Sequence, residues 1–403
     1  MNGFAKCLLI LLIVPVLTSC WNRRELNVLG IAIAIGIDKS DGEYKLSAQI
    51  VNPGEISGKP GTGGGSAPIV THHATGKTIF EAIRKLTTEE PRRVFAGQTR
   101  ILVFGEEFAR EGIAEAMDIV TREPEVSANI YMLVSRGTTA ENILKVLTSI
   151  EKVPALSILN SMKASEKYWG SIKLVKLDDL LDTLMTEGMQ PALPAIEIKG
   201  DPIAGQALDH TDQSDLASVL HFTGMAVFKE DKLAGWLEED ESRAYRFVTE
   251  KVKNSVVQIP CSTEGVTSLE MIWTKNKIRG YIKRGKPYVS IQIRGEANVG
   301  ETQCRESLKK PETMKELQKR TNDSLRRVIE KTILTVQEQY GSDIFGFGAE
   351  IHRSDPKGWK KLEEHTWIKE FGNLDFETHV DIRIRHTGMI VDPVEESTRR
   401  TPR

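Results

Sequence analysis

Large and small apolar side chains alternate in the first strand that the sequence predicts. Between Val28 and Ile37, four isoleucines alternate with alanine and glycine at a period of two residues. Side chains of a strand point alternately to its two faces, so branched groups lie on one face and small groups on the other. The pattern predicts a central strand covered on both sides. Asp41-Gly42 supplies a turn, and the alternation from Tyr44 to Val51 predicts a half-buried partner strand.

The segment 52–68 interrupts this pattern. It contains six glycines and three prolines, which predicts a flexible loop without regular structure. Strand and helix patterns then alternate, and two helices begin with the capping boxes Thr78-x-x-Glu81 and Thr138-x-x-Glu141. The predicted strands are 69–75, 100–104, 129–135 and 195–199, and the other predicted helices are 106–122, 154–168 and 178–187. We therefore expect an N-terminal α/β domain over residues 20–200.

The rest of the chain has a different pattern. Residues 201–220 are rich in aspartate and predict a linker. A hairpin at 224–237, a helix at 239–253 and a meander of strands at 255–259, 267–276, 277–284 and 288–296 follow. The longest helix, 312–340, has an apolar stripe that predicts packing against the meander, with a partner-binding face as the alternative. With two shorter helices and a last strand at 375–385, this predicts an α+β C-terminal region over 221–392, one domain or two, and a tail at 393–403.

Composition limits the class of protein. The chain has 403 residues, a formal net charge of −2, 27% charged and 40% hydrophobic residues. These values exclude a polytopic membrane protein, a disordered chain and a globally basic nucleic-acid-binding protein.

The extreme N-terminus departs from this profile. Lys6 is followed by an apolar run from Cys7 to Leu17, which predicts a secretory signal, because a membrane-spanning helix needs roughly twenty apolar residues. Leu17-Thr18-Ser19-Cys20 resembles the bacterial lipobox, in which the cysteine receives a diacylglycerol and becomes the mature N-terminus. We therefore expect a signal peptide at 1–19 and lipidation at Cys20, which gives a stable two-chain anchor. The alternatives are an ordinary signal peptide with an incidental cysteine, or an N-terminal helix that is retained.

Two cysteines, Cys261 and Cys304, remain after the signal and the lipidation site. An exported protein permits a disulfide, but sequence alone does not bring two Cα atoms within bonding distance. Two unpaired thiols are the favoured interpretation and a disulfide is the alternative. The spacings CxxC and HExxH do not occur, so we expect no zinc site.

Motifs for catalysis are weak throughout. Gly76-Lys77-Thr78 resembles the end of a phosphate-binding loop, but Thr71 stands where that loop needs glycine, so a helix cap is the better interpretation. His72 and His73 are adjacent on a predicted strand and point to opposite faces, so they cannot bind one ion together. The acidic pair Glu89-Glu90 is expected on a solvated surface. We predict no catalytic residue, no metal site and no cofactor.

Several short motifs together resemble one family. Cys20-Trp21-Asn22-Arg23-Arg24-Glu25-Leu26, followed by Gly36-Ile37-Asp38, resembles the start of the mature C subunits of bacterial spore germinant receptors, the Ger(x)C family of lipoproteins. The resemblance continues through residues 105–113 and 118–122, returns in Asp343-Ile344-Phe345-Gly346-Phe347-Gly348 with Trp359 and Trp367, and ends at 383–388. Asn22 stands where family members often carry aspartate. The Gly346-Phe347-Gly348 part also predicts that a helix end approaches another backbone.

This resemblance implies a location and partners. The C subunit is anchored by lipid on the outer surface of the spore's inner membrane and acts with two integral-membrane subunits, A and B, in a complex that detects nutrients. It is not known as an enzyme. We expect Trp21, Arg23, Arg24 and Glu25 to contact a partner, although Trp21 packing on lipid headgroups or on its own domain is an equal alternative. The alternative functions are a lipid-anchored solute-binding protein, with ligand between two α/β lobes, and an exported enzyme.

Overall fold

The computed structural model describes Gly3 and residues 29–57, 67–262, 264–304, 307–362 and 367–386. Its first part contains nine strands and seven α-helices. The strands are β1 (Leu29–Ser40), β2 (Glu43–Val51), β3 (Ile69–Gly76), β4 (Arg93–Phe95), β5 (Ile101–Phe104), β6 (Tyr131–Ser135), β7 (Ala192–Gly200), β8 (Ser218–Lys229) and β9 (Lys232–Leu237). The helices are α1 (Pro53–Ser57), α2 (Ile79–Lys85), α3 (Glu106–Glu111), α4 (Ala114–Arg122), α5 (Ala140–Lys145), α6 (Pro154–Ala164) and α7 (Leu177–Met185).

β1 is a central strand, as its alternation predicts. The order of the first sheet is β3-β2-β1-β5-β6-β7-β8-β9, with β4 paired to the start of β1. β1 runs parallel to β5 and antiparallel to β2. Its small residues are the more deeply buried, because α5 lies against them: a Cβ added to Gly36 would be 3.0 Å from that of Ala140. On the other face, Ile35 and Ile37 line a cavity beneath α2 and α4.

Two predicted segments in this part differ from the structure. Within the predicted loop 52–68, residues 53–57 form α1. The predicted single helix 106–122 is two helices, because Gly112 has a φ of +137° and ends α3. The turn between β8 and β9 lies against this break, where Ile113 donates its backbone N–H to the Asp231 carbonyl at 2.9 Å.

The β8–β9 hairpin is confirmed, and it extends the first sheet. β8 pairs antiparallel with β7 and with β9. The two sheets of the molecule therefore divide the chain between Leu237 and Val256, whereas the sequence places this hairpin in the C-terminal region. The domain boundaries at residues 200 and 221 stay a prediction.

The second sheet has the order β10-β11-β12-β13. Its strands are β10 (Val256–Pro260), β11 (Val266–Lys283), β12 (Lys286–Thr302) and β13 (Asp375–His386), and the helices are α8 (Glu239–Thr249), α9 (Pro311–Thr335), α10 (Phe347–Ser354), α11 (Pro356–Leu362) and α12 (Trp367–Phe371). The predicted strands 267–276 and 277–284 form one continuous strand. The first three strands are an antiparallel meander, but β13 pairs parallel with β12, because the chain crosses over through α9 before it returns.

The long helix packs by its apolar stripe, as predicted. Leu317, Leu325, Ile329 and Ile333 are buried, whereas Val328 is 36% exposed. The chain continues through a short π-helical stretch to Gly341, which has a left-handed backbone. The N-terminal α/β part and the C-terminal sheet with its long helix thus confirm the predicted fold class.

The prediction of two unpaired thiols is wrong. Cys261 and Cys304 form a disulfide with a Cα–Cα distance of 5.5 Å. Cys261 directly follows β10, and Cys304 lies shortly after β12. The last residues of β10 and of β12 both pair with the first residues of β11. This register brings the two cysteines together. Sequence alone did not provide that register.

Candidate functional site

The residues predicted for lipidation and partner contact, Cys20, Trp21, Arg23, Arg24 and Glu25, lie outside the described residues. The chain enters the described structure at Leu29, which pairs with Arg93 at the start of β1. A chain of this length between Cys20 and Leu29 spans at most about 30 Å when extended. A lipid on Cys20 would therefore keep one end of the first sheet, the end at which β1 begins, close to a membrane. Within the described ranges, no helix is both long enough and apolar enough to cross a bilayer.

The two adjacent histidines face different acids, as side chains on opposite faces of a strand do. Nε2 of His72 lies 2.9 Å from a carboxylate oxygen of Glu90, and Nδ1 of His73 lies 3.3 Å from a carboxylate oxygen of Glu141. The expectation of a solvated Glu90 is wrong, since it is only 8% exposed. Its carboxylate accepts from the Arg92 N–H and turns inward toward β3.

A buried carboxylate organises the Gly36-Ile37-Asp38 motif. Asp38 accepts hydrogen bonds from the backbone N–H groups of Ala140 and Glu141 at 2.8 and 2.9 Å, at the start of α5. A Cβ on Gly105 would collide with the same carboxylate. Burial raises the pKa of Asp38, while the two N–H donors oppose that rise. Motifs that are distant in the sequence therefore form one structural unit, in which Asp38 accepts from the first two N–H groups of α5 and Thr139 accepts from the third.

The side chain of Glu141, next to Asp38, is the centre of a cluster of basic side chains. Lys145 lies 2.6 Å from its carboxylate, and Lys45 and His73 also contact it. Burial alone would raise the pKa of Glu141, but Lys145 and Lys45 hold it below the usual value. Sequence reasoning missed this cluster, although the spacing of Glu141 and Lys145 by four residues is a signal for a helical ion pair.

The predicted N-cap of α5 is wrong by one residue. Thr139, and not Thr138, caps this helix.

The motif 343–348 forms a second buried unit. The carboxylate of Asp343 accepts from the N–H groups of Phe347 and Gly348 at 3.1 and 2.8 Å, and from Nε1–H of Trp367 at 3.1 Å. Burial raises the pKa of Asp343 to about 7, even though these donors favour the charged form. Gly346 has a φ of +73°, a conformation that glycine adopts without strain.

This unit joins the C-terminal helices to the chain just before β7. The N–H of Ala349 donates to the Gly188 carbonyl at 3.1 Å, and the N–H of Gln190 donates to the Asp343 carbonyl at 2.9 Å. A Cβ on Gly348 would lie 2.7 Å from the Cα of Gly188, so the two backbones meet where glycine permits it. The prediction that this glycine motif lets a helix end approach another backbone is confirmed.

Aromatic side chains complete the contact. Trp359 packs on Trp367 with ring centroids 5.3 Å apart and stacks on His352 at the same distance. Its Nε1–H donates to Glu187 at 3.3 Å. The tryptophans of the family-like motifs thus hold the two parts of the chain together.

The cavities offer little chemistry. The one beneath α2 and α4 is apolar and has a volume of about 90 Å³, far below that of ordinary ligand sites. An open groove of about 700 Å³ runs between α8, β10 and α9, with Trp169 and Arg243 at its rim. Within the part of the chain that the structure describes, no three His, Cys, Asp or Glu side chains are placed to hold a metal ion.

Two family descriptions match the chain. The spore germination protein N-terminal domain matches residues 22–198, and the C-terminal domain described as spore germination B3/GerAC like matches residues 223–388. Together they cover most of the chain after the predicted signal peptide.

Full-length relatives and a solved structure are also similar. Spore germination protein KC of Bacillus subtilis (strain 168) is 31% identical over 400 residues, which cover 97% of this chain and 98% of that protein. Spore germination protein GerQC of Bacillus cereus is 24% identical over 81% of this chain and 85% of that protein. The crystal structure of the GerBC protein matches with a TM-score of 0.53 and 17% identity, over 87% of this chain and 96% of that one, and it supports the fold.

Proposed function

The chain belongs to the Ger(x)C family of spore germination proteins, and from this premise we propose that it is the lipid-anchored C subunit of a nutrient germinant receptor. The observation that carries the proposal is the similarity to spore germination protein KC along almost the whole of both chains. In the proposal, Cys20 carries the diacylglycerol on the outer face of the spore inner membrane. The integral-membrane A and B subunits are the partners.

The physical role of the anchor is to concentrate the protein. Two acyl chains hold a protein stably on a bilayer. Confinement to the membrane plane raises the effective concentration beside the integral subunits, so that individually weak contacts suffice for assembly. The proposal includes no catalytic activity, in line with a sequence in which no catalytic arrangement is predicted.

A solute-binding protein is not favoured by the architecture. Such a protein would hold its ligand between two α/β lobes, whereas the second sheet here has antiparallel β10, β11 and β12 beside a long helix.

Replacing the lipidated cysteine tests the proposal. Sporulating cells that carry Cys20→Ala are expected to lose the protein from the membrane fraction and to respond weakly to nutrients, because the anchor is absent. Cys7→Ala is the matched control, since it changes a cysteine inside the predicted signal and should leave both properties intact. Normal membrane recovery together with a normal nutrient response in the Cys20 variant would contradict the proposal.

The segment beside the anchor is the proposed contact with the A and B subunits. Reversing the charges of Arg23 and Arg24 to glutamate is expected to reduce co-purification of both subunits. Lys315→Glu with Lys319→Glu makes the same change in charge on the exposed face of α9 and should have no effect. Unchanged recovery after the reversal at Arg23 and Arg24 would remove these two residues from the interface.

A further inference from the structure

One face of the second sheet carries a row of exposed cations along β11. Lys275, Lys277, Arg279 and Lys283 are spaced by even numbers of residues and are all exposed, so their side chains lie on one face of the strand. The hairpin that follows adds Arg284 and Lys286, which are also exposed. We call these six residues the basic strip. It extends about 25 Å along the strand, at roughly 3.3 Å per residue.

The strip lies on the side of the sheet that the helices leave open. The opposite face of β11 includes Gly280, where an added Cβ would meet Ile351 of α10, and Ile282, which lies close to Gly358 of α11. Along β11 the residues of the strip alternate with Gly280 and Ile282, so their side chains point away from the helices.

Its cross-strand neighbours do not neutralise it. Lys275 pairs with Arg294 and Lys283 with Lys286, while Lys277 and Arg279 stand opposite Gln292 and Ser290. Like charges directly opposite each other destabilise a sheet. The stability of the fold therefore gives no reason for this arrangement of charges.

The acids on the neighbouring strands have partners of their own. Glu296 pairs with Arg385, Glu377 lies 3.7 Å from His379, and Asp381 lies 3.9 Å from Arg383. Asp375 stands across from Tyr288 at the end of the face. Among the described residues, no ion pair involves Lys275, Lys277 or Arg279, so the strip presents a net positive surface.

Aromatic side chains interleave with the cations. Trp273 and Tyr281 are each 38% exposed, and the rings of Tyr281 and Tyr288 lie 5.1 Å apart. Tryptophan and tyrosine favour the headgroup level of a bilayer. Lysine and arginine near an anionic membrane are attracted to its surface. The combination of both residue types on one open face is the chemistry of a membrane-contacting surface.

The position of the second sheet agrees with a membrane-contacting surface. β1, β5, β6 and β7 are parallel neighbours, so β1 and β7 begin at the same end of the first sheet. The C-terminal helices attach at that end, through Gly188 and Gln190. This step rests on the proposed lipid anchor, which would hold the same end of the sheet near the membrane.

From these observations we propose that the basic strip binds the surface of a bilayer that contains anionic phospholipid. The strip holds the second sheet against the membrane to which the chain is tethered. A lipid surface fits better than a soluble acidic partner, because the strip is long, open and interleaved with aromatic rings.

Vesicle sedimentation of the unlipidated chain from Trp21 onward tests the proposal. This chain contains every helix and strand named above, and it has no lipid that would mask the effect. It is expected to sediment with vesicles of phosphatidylcholine mixed with phosphatidylglycerol, and not with phosphatidylcholine alone. Since each cation near such a surface contributes a factor of about five, the triple variant Lys275→Gln, Lys277→Gln and Arg279→Gln should lose roughly a hundredfold in affinity.

The control removes equal charge elsewhere. Lys315→Gln, Lys319→Gln and Lys331→Gln change exposed lysines of α9 and should leave binding close to that of the parent chain. Equal binding by the strip variant, equal loss in the control, or no preference for anionic vesicles would overturn the proposal. So would binding to polyglutamate without binding to vesicles. None of these outcomes involves Cys20 or germination, so failure here is distinct from failure of the proposed function.

Discussion

Asp343 is a buried carboxylic acid at the junction between the two parts of the chain. Its pKa is raised by burial to about 7, from an ordinary value of 3.8, against N–H donors that favour the carboxylate. The folded chain therefore binds this proton more tightly than the unfolded chain. The stability that the proton contributes is fully present below about pH 4 and is lost as the pH rises through about 7.

The near-isosteric change Asp343→Asn removes this titration. We expect the free energy of unfolding of the parent chain to fall between pH 4 and 7 relative to that of the variant, by an amount on the order of a few kcal/mol. Urea denaturation at a series of pH values measures the difference. Asp118→Asn is the control. Asp118 is exposed and Arg122 lowers its pKa, so its carboxyl does not gain a proton on folding. This variant should therefore show the same fall in the free energy of unfolding between pH 4 and 7 as the parent. Parallel curves for Asp343→Asn and the parent would contradict the prediction.

Individual residues also show which predictions the sequence supports. Thr78 was predicted as a cap from its neighbours alone, and its side chain accepts from the N–H of Glu81. Asp343 could not be assigned its role, because Trp367 lies 24 residues away and Gly188 belongs to another part of the chain. Local signals identify caps, whereas buried carboxylates depend on partners that only the fold brings together.

Helices and strands show the same difference between local signals and long-range contacts. Periodicity predicted β1 as a central strand and α9 as the longest helix, because both patterns are long and regular. The parallel pairing of β13 was missed, since a parallel neighbour is reached through a crossover that leaves no local signal. The split between α3 and α4 was missed because the turn at Asp231, far along the chain, packs against Gly112. The proposed lipidation at Cys20 was predicted from its motif, and the proposed contact residues at 21–25 were predicted from their position beside that anchor.

The disulfide that closes β10 against the end of β12 should stabilise the second sheet. It links residues separated by 43 positions, and a closed loop of this length corresponds to about 4 kcal/mol of lost chain entropy, with measured effects of roughly 2–4. We expect the double variant Cys261→Ser, Cys304→Ser to lower the free energy of unfolding by roughly 2–4 kcal/mol. Urea denaturation of the chain from Trp21 onward measures the change.

Reduction of the parent chain provides the control for this prediction. Cys261 and Cys304 are the two cysteines that remain after Trp21, so a thiol-labelling reagent reports directly on this bond. The reduced parent should unfold like the double serine variant. Two reactive thiols before reduction, or an unchanged midpoint after it, would count against the bond.

On the scale of the whole molecule, the motif 343–348 is one of the contacts that join the two sheets. It brings Gly348 against Gly188 and carries the hydrogen bonds from Gln190 and Ala349 across the junction. The family-like residues Trp359 and Trp367 lie at the same place. The structure thus gives these motifs a physical role in joining the chain just before β7 to the C-terminal helices.

Gly348→Ala should weaken this coupling. The added Cβ would lie 2.5 Å from the Trp367 ring and 2.7 Å from the Cα of Gly188, so α10 must move away at a cost of about 1–3 kcal/mol. We expect the parent to unfold in one transition by both circular dichroism and tryptophan fluorescence, and the variant to show an earlier fluorescence transition as the tryptophans of the junction become exposed. Gly300→Ala is the control, because its added Cβ would meet only ordinary contact at 3.5 Å from the Ser268 carbonyl oxygen. Coincident transitions at the parent's midpoint in the Gly348 variant would mean that the two sheets are coupled through contacts other than this glycine pair.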